Sequence, residues 1–152
     1  DEPFSNLDLP LKAKMRQEMI EKLRKYGTTI VLISHDPAEA MAVADKILLL
    51  RAGKIEQFDS PENLYRRPNS YYAASFLGPV NQIHKEGEEV LARPEELIID
   101  SSGKLKGFVT ACEFAGRSYH CHIKLNGQAK EVLVYAEQKL NKGAKVNLTL
   151  IK

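Results

Sequence analysis

The chain has 152 residues, of which 43% are hydrophobic and 28% are charged. This composition is ordinary for a globular protein, and the length is enough for one domain or for two small ones. The formal net charge of +2 creates no strong field toward nucleic acid, so we expect no nucleic-acid partner. No apolar run approaches the roughly 20 residues that a membrane-spanning helix needs.

Two adjacent carboxylates, Asp1 and Glu2, precede a short polar turn. Pro10 then stands at the head of residues 12–25, whose apolar side chains recur at helical spacing. Carboxylates on a connection that leads into a helix can hold a hard metal ion and orient a water molecule. A charged pair that lies exposed to solvent is the alternative interpretation.

Residues 28–33 form a β-branched apolar run, which predicts a strand buried on both faces. His35 follows this run, and open α/β sheets place their ligand contacts at the carboxyl ends of strands. Asp36, with Pro37 after it and Glu39 three residues along, predicts the N-terminus of a helix.

A second strand buried on both faces is predicted at residues 47–50, and a third strand, antiparallel to it, at residues 55–58. Ser60 is predicted to begin a capped helix, and a further short helix is expected over residues 70–77.

Gly78 and Pro79 predict a domain boundary. Beyond them the sequence changes to short segments of alternating hydrophobicity, with candidate strands at residues 88–92, 96–100, 106–114, 119–125, 131–135 and 145–151. Many short strands at this spacing predict a small β-barrel or sandwich.

A two-residue turn at Gly116 and Arg117 would align Cys112 with Cys121 across a hairpin. The apolar face of that hairpin is expected to contain Phe108, Thr110, Cys112, Phe114, Tyr119, Cys121, Ile123 and Leu125. We expect two reduced cysteines, because two do not make a disulfide framework and a reducing compartment is expected. A metal site at His120 and His122 is disfavoured, since no third ligand lies at metal spacing.

The stretch DEPFSNLD, a helix, and then TTIVLISHD resemble the C-terminal half of the ATPase subunit of an ABC transporter. The likeness continues through HDPAEAMAVADKILLLRAGKIEQFDSPENLYRRPNSYYAASFLGPVNQ. The RPE corner, the FAG turn and the closing GAKVNLTLI resemble the TOBE domain, an OB-like barrel appended to these ATPases. The resemblance implies an α/β fold at residues 1–78, the C-terminal portion of a P-loop ABC ATPase domain. It implies an all-β, OB-like TOBE barrel at residues 79–152.

The resemblance also implies roles for individual residues. Asp1 would hold Mg²⁺ through water beside the nucleotide phosphates, and Glu2 would be the general base that polarises the attacking water. His35 would contact the γ-phosphate of ATP and hold the water and Glu2 in line, as phosphoryl transfer requires. The D-loop that couples two ATPase subunits would be Ser5, Asn6, Leu7 and Asp8, although the family more often has alanine at the position of Asn6.

For the full-length protein, the resemblance implies ATP and Mg²⁺ as cofactors and solute import as the function. The implied partners are a second copy of the ATPase subunit and transmembrane permease subunits. The implied location is cytoplasmic, peripheral on the inner face of the cell membrane. No G-x-x-x-x-G-K-[ST] loop, LSGGQ signature or Q-loop occurs in the 152 residues, so we expect an inactive fragment of a longer protein.

The alternative function is a regulatory module whose barrel binds a small anion such as molybdate or sulfate. Anion-binding relatives of the barrel carry an S-x-R-N stretch that this chain lacks, which places the alternative second. The motifs do not distinguish polyamine, ferric iron, sulfate and sugar importers, although the short barrel disfavours the sugar importers. We also expect self-association through residues 1–58, where apolar strands would be left with open edges.

Overall fold

The computed structural model describes residues 9–85 and 87–151 of the chain. The chain divides into two compact units, which meet in sequence between Leu77 and Gly78, one residue before the predicted boundary. The first unit combines helices with a β-hairpin, whereas the second unit is built of strands and one short 3-10 helix.

The first unit begins with helix α1, Leu9–Lys25, which has Pro10 in its first turn as predicted. The helix is followed by Gly27, whose φ of 64° lies in the left-handed region that glycine adopts without steric cost. Helix α2, Pro37–Val43, begins after Asp36, whose side chain accepts hydrogen bonds from the first turn. The predicted helix start is therefore confirmed.

Two short helices complete the first unit. Helix α3, Pro61–Arg66, is capped by Ser60, and helix α4 spans Tyr71–Leu77, so both predicted helices are confirmed. Their inward sides, together with one strand residue, supply a small set of buried apolar side chains: Leu49, Leu64, Ala73, Ala74 and Leu77.

A hairpin links the helices of the first unit. Strands β1, Ile47–Arg51, and β2, Lys54–Asp59, pair antiparallel, as predicted. Ala52 and Gly53 join them with φ values of 49° and 73°, and positive φ at both positions is typical of the tightest hairpin turns. Leu48 and Leu50 are 47% and 53% exposed, so the prediction that residues 47–50 are buried on both faces is wrong.

Residues 28–33 form no strand. Val31 and Ile33 in this segment are 87% and 58% exposed. A strand needs a neighbouring strand to satisfy its N–H and C=O groups, and none of the sheets formed by residues 9–85 and 87–151 includes this segment. The prediction of a strand buried on both faces is therefore wrong for the structure as described.

The second unit begins with a hairpin and continues into a five-stranded sheet. Strand β3, Asn81–Lys85, was not predicted from the sequence, and it pairs antiparallel with β4, Glu88–Ala92. A 3-10 helix at Pro94–Glu96 forms the predicted corner. The remaining strands are β5 (Leu97–Ile99), β6 (Leu105–Phe114), β7 (Tyr119–Leu125), β8 (Glu131–Ala136) and β9 (Lys145–Leu150).

The five-stranded sheet runs in the order β5-β9-β6-β7-β8, and every pair in it is antiparallel. The outer strands β5 and β8 also contact each other, so the sheet curls into a nearly closed barrel. This confirms the predicted all-β barrel. Its interior contains Ile83, Ala92, Leu97, Val109, Ile123, Leu125, Val132, Val134, Val146 and Leu148.

The alternation of strand β6 differs from the prediction. Val109 pairs with Ile123 and Cys112 pairs with Cys121, so three steps on β6 match two steps on β7. This β-bulge reverses which residues point inward on either side of it. Val109 is fully buried, whereas Phe108 is 43% exposed, so the predicted apolar face is wrong before the bulge.

Candidate functional site

His35 lies exposed in the connection that leads into helix α2. The next residue, Asp36, is the N-cap of that helix, and its Oδ1 accepts hydrogen bonds from the N–H groups of Ala38 and Glu39 at 3.0 and 3.2 Å. The cap satisfies donors that a helix leaves open at its first turn. The backbone immediately after His35 is therefore fixed to the helix, while His35 itself is an exposed residue.

Ser34, on the other side of His35, is held by a buried carboxylate. Its hydroxyl donates to Glu39 Oε2 and also accepts from the N–H of Asp36 at 3.1 Å. Glu39 is only 5% exposed, and its Oε1 accepts from Arg16 Nη1 of helix α1 at 3.1 Å. The residues that flank His35 are thus tied to helix α1 through one side-chain network.

A second arginine of helix α1 reaches the other end of helix α2. Arg24 Nη2 lies 3.3 Å from the backbone oxygen of Val43 and 3.1 Å from Asp45 Oδ1. Val43 ends helix α2, and a cation at a helix C-terminus interacts favourably with the helix dipole. Arg16 and Arg24 lie about two helical turns apart, so they connect α1 to both ends of α2.

Of the site residues predicted from sequence, only His35 lies within the described structure. Asp1 and Glu2, and the predicted D-loop residues Ser5, Asn6, Leu7 and Asp8, lie outside the described residues. The geometry between His35 and the two carboxylates therefore stays a prediction.

Sequence reasoning missed the network behind His35. Glu39 was used only to predict the start of a helix, whereas its side chain accepts a hydrogen bond from Ser34 and pairs with Arg16. The sequence offered one signal for it: Arg16 and Arg24 are cations on one helix, and the acidic residues Glu39 and Asp45 follow later in the chain. No local pattern connects Arg16 with Glu39, since the two are far apart in sequence.

The barrel contains the second group of candidate residues. Cys112 and Cys121 pair across strands β6 and β7, as predicted from the turn, but they form a disulfide, with a Cα–Cα distance of 4.0 Å. The expectation of two reduced cysteines is therefore wrong in this structure. Their side chains come within bonding distance because the register places them directly opposite each other on the inward side.

The histidines of strand β7 lie on the outer side of the barrel. His122 is exposed, and the His120 ring stacks on Tyr135 of strand β8 with centroids 4.7 Å apart. Burial, and then the charge of Glu95, raise the pKa of the Tyr135 hydroxyl, while Arg93 opposes them. Among the residues that the structure describes, no group of three or more His, Cys, Asp or Glu side chains could hold a metal ion.

An open cavity of about 480 Å³ lies beside the disulfide. Strand β6 and the connection between strands β8 and β9 line it, with Thr110, Ala111, Cys112, Glu113, Lys139, Leu140, Asn141 and Lys142. Two lysines and one glutamate give this opening a small excess of positive charge.

The sequence of residues 90–150 matches the TOBE domain family. The match covers the barrel from the last residues of strand β4 to the end of strand β9. This agrees with the barrel architecture and with the resemblance found in the RPE corner and the closing strand.

The chain is also similar to curated ABC transporter ATP-binding proteins. It is 33% identical over 86% of its length to the uncharacterized ABC transporter ATP-binding protein YdcT of Escherichia coli (strain K12), of which it covers 42%. It is 34% identical over 95% of its length to the sn-glycerol-3-phosphate import ATP-binding protein UgpC of Jannaschia sp. (strain CCS1), of which it covers 49%.

A third relative, the spermidine/putrescine import ATP-binding protein PotA of Onion yellows phytoplasma (strain OY-M), is 30% identical over 93% of the chain, which covers 40% of that protein. The chain thus spans less than half the length of each of these relatives. Within residues 9–85 and 87–151, no helix is long and apolar enough to cross a bilayer.

Proposed function

Because the chain belongs to the ABC transporter ATP-binding proteins and carries a TOBE domain, we propose that it is the C-terminal portion of an ATP-hydrolysing importer subunit. The full-length protein would couple ATP hydrolysis to solute uptake across a membrane. Two of the relatives described above are named as import ATP-binding proteins, which favours this function over a free-standing anion-binding module.

The observation that carries the proposal is the setting of His35. The imidazole is exposed, while the residues on both sides of it are fixed by a helix cap and by a buried carboxylate. A donor that must meet a phosphate needs both access and a defined position. We assign His35 the contact with the γ-phosphate of ATP.

The two carboxylates of the proposed site are Asp1 and Glu2. When bound, Mg²⁺ would neutralise the charge that develops on the phosphate oxygens. Asp1 would hold the ion through water, while Glu2 would accept the proton of the attacking water. His35 would orient that water against Glu2, since catalysis of phosphoryl transfer depends mainly on positioning and charge neutralisation.

Arg16 and Glu39 would act as positioning residues for His35. Glu39 is buried against Arg16 and accepts from the Ser34 hydroxyl, so removal of either partner leaves the other without its charge partner. We expect Arg16→Gln to lower the kcat of the full-length ATPase while the KM for ATP changes less, because the network fixes the residues that flank His35.

The proposed assembly contains two copies of the ATPase subunit, joined in part by the D-loop Ser5, Asn6, Leu7 and Asp8, together with transmembrane permease subunits. Its location would be cytoplasmic and peripheral on the inner face of the membrane. The transported solute stays unassigned between ferric iron, polyamine, sulfate or molybdate and other substrates, because the motifs are shared.

The test of the proposed function is ATP hydrolysis by the full-length protein with His35→Ala. We expect turnover to fall by about 10²-fold or more, in the range expected for loss of a catalytic proton or positioning group. His84→Ala provides the control, because His84 is an exposed histidine of the barrel. If His35→Ala and His84→Ala hydrolyse ATP equally fast, the assignment of His35 is wrong.

A second test uses the chain of 152 residues alone. It contains no G-x-x-x-x-G-K-[ST] loop to cradle the phosphates, so we propose that it neither binds ATP tightly nor hydrolyses it. Isothermal titration with Mg-ATP measures this directly. A micromolar Kd would contradict the proposal that the phosphate-binding surface lies elsewhere in the full-length protein.

A further inference from the structure

We propose that Cys112 and Cys121 form a thiol–disulfide exchange site on the barrel, and that Cys112 is the sulfur at which small anionic thiols react. The two residues pair across strands β6 and β7 and form a disulfide. Cys121 is fully buried, whereas Cys112 is partly exposed. Since exchange requires access to one sulfur, this difference selects Cys112 as the entry point.

The charges around Cys112 favour the approach of an anionic thiol. Cys112 lines the open cavity together with Lys139 and Lys142, while Glu113 supplies one opposing charge. Ammonium groups stabilise a thiolate, so these lysines would favour the later step in which Cys112 is released as a thiolate. The same lysines would attract a thiol that carries carboxylates, such as a peptide thiol of the glutathione class.

The exchange proceeds in two displacements. The thiolate of the small thiol attacks Cys112 Sγ, the sulfur–sulfur bond breaks, and the electron pair leaves on Cys121 Sγ, which takes up a proton. A second thiolate of the same class then attacks the external sulfur of the mixed disulfide and releases the Cys112 thiolate. Cys112 and Cys121 are reduced to thiols, while two small thiols are oxidised to one disulfide.

The connection between strands β8 and β9 would respond to this exchange. The N–H of Leu140 donates to Cys112 Sγ at 3.4 Å, and Leu140 packs against the barrel core. An adduct on Cys112 would occupy the cavity that Lys139, Leu140 and Lys142 line. The proposed modification therefore acts on one loop of the barrel and leaves the strand order unchanged.

The experiment treats the disulfide form of the 152-residue chain with reduced glutathione, quenches with iodoacetamide, and locates adducts by peptide mass mapping. We expect the glutathione adduct on Cys112 and alkylation on Cys121 in the same molecules. An adduct mainly on Cys121 would overturn the proposal. Equilibration with oxidised glutathione that leaves both thiols free would also overturn it, because no bond would then form between them.

Single-cysteine chains test the charge argument. Cys112 in Cys121→Ser should react with iodoacetamide at least tenfold faster than Cys121 in Cys112→Ser, and Lys139→Gln with Lys142→Gln should slow Cys112 several-fold. Lys104→Gln with Lys106→Gln is the matched control, since both lysines are exposed and lie outside the cavity. Equal slowing by the two pairs would overturn the role given to the cavity lysines. Circular dichroism verifies that each variant is folded. The glutathione adduct experiment uses the unmodified sequence, so it tests the proposal even if a variant does not fold.

Discussion

Asn81 binds the backbone of Leu133 through both polar atoms of its amide. Its Nδ2 donates to the Leu133 oxygen at 2.8 Å, and its Oδ1 accepts from the Leu133 N–H at 2.7 Å. This pair substitutes for a strand ladder between β3 and β8. Gln128 makes the same kind of pair with the backbone of His84, through its Oε1 and Nε2.

Burial distinguishes these two amides and gives a first prediction. Asn81 is 4% exposed and Leu133 is half-buried, so Asn81→Ala leaves the N–H and C=O groups of Leu133 without their partners in a place that water reaches poorly. We expect the free energy of unfolding of the barrel to fall by about 1–3 kcal/mol. Gln128→Ala should cost less, because water can replace the lost bonds at a more exposed position. Urea unfolding of both variants measures this, and an equal or larger loss for Gln128→Ala would contradict the argument.

Gly103 gives a second prediction. A Cβ at this position would lie 2.5 Å from the backbone carbon of Leu148 in strand β9, and that backbone cannot move aside without disturbing the sheet. We expect Gly103→Ala to destabilise the barrel by about 1–3 kcal/mol, as overpacking usually does. The exposed neighbour Ser101 supplies the control, since Ser101→Ala should leave the urea midpoint nearly unchanged. A Gly103→Ala chain as stable as the control would show that strand β9 yields at this contact.

The turn that contains Gly103 also predicts an acid limb of barrel stability. Hydrogen bonds from the Ser102 hydroxyl, the Ser102 N–H and the Thr149 hydroxyl lower the pKa of Asp100 from its ordinary value of 3.8. A carboxyl group whose pKa is lower in the folded state than in the unfolded state stabilises the folded protein. Its contribution to the free energy of unfolding is complete above the ordinary pKa and is lost as the pH falls through the folded-state pKa. The barrel therefore loses the stabilisation contributed by Asp100 below about pH 4.

The test is urea unfolding of the barrel at a series of pH values between pH 6 and pH 2.5. The amide signals of barrel residues in NMR spectra report the folded fraction at each pH. We expect Asp100→Asn to flatten the decline below about pH 4. Ser102→Ala should weaken it in part, because it removes the hydroxyl donor that contributes most. An Asp100→Asn barrel that declines as steeply as the unmodified barrel would show that other carboxyls set the acid limb.

Local sequence patterns predicted most of the barrel. The register of Cys112 with Cys121 followed from the turn at Gly116 and Arg117, because a hairpin turn fixes the pairing of its strands. Phe108 was placed on the wrong face because the bulge beside Val109 carries no strong local signal. Strand β3 was missed because Asn81–Lys85 contains a single aliphatic residue, Ile83, so its pairing with β4 leaves no clear alternation in the sequence.

The prediction of a strand at residues 28–33 was wrong, because a strand forms only when a second segment pairs with its N–H and C=O groups. The apolar run is real, but no neighbouring strand lies beside it among the described residues, and Val31 stays exposed. At the candidate site, the helix start at Asp36 was predictable from the cap and Pro37. The anchoring of Glu39 by Arg16 was not, because it is a long-range contact.

The exposed side chains of the first unit predict self-association of the 152-residue chain. Leu48 pairs with Phe58 across the hairpin, and these side chains are 47% and 61% exposed. Apolar groups clustered in this way usually find a partner. In sedimentation equilibrium at about 100 μM, well above a micromolar Kd, we expect oligomers. Leu48→Glu with Phe58→Lys should weaken them, because it makes the pair polar and oppositely charged.

The outcome that would contradict this prediction is a monomer at the same concentration without any substitution. A chain that begins at Gly78 provides the control, since the barrel has its own buried core. We expect it to stay monomeric and to unfold cooperatively. If it is unfolded, the barrel depends on the first unit, and the proposed division of the chain is wrong.

The most direct test of the proposed function is the ATP turnover of the full-length protein with Glu2→Gln. We expect ATP still to bind and turnover to fall by about 10²–10⁴-fold, because the general base acts on water and not on the nucleotide. Glu18→Gln, an exposed glutamate of helix α1, is the matched control and should hydrolyse ATP at the unmodified rate. Turnover by Glu2→Gln within about tenfold of the unmodified protein would contradict the assignment of Glu2 as the general base.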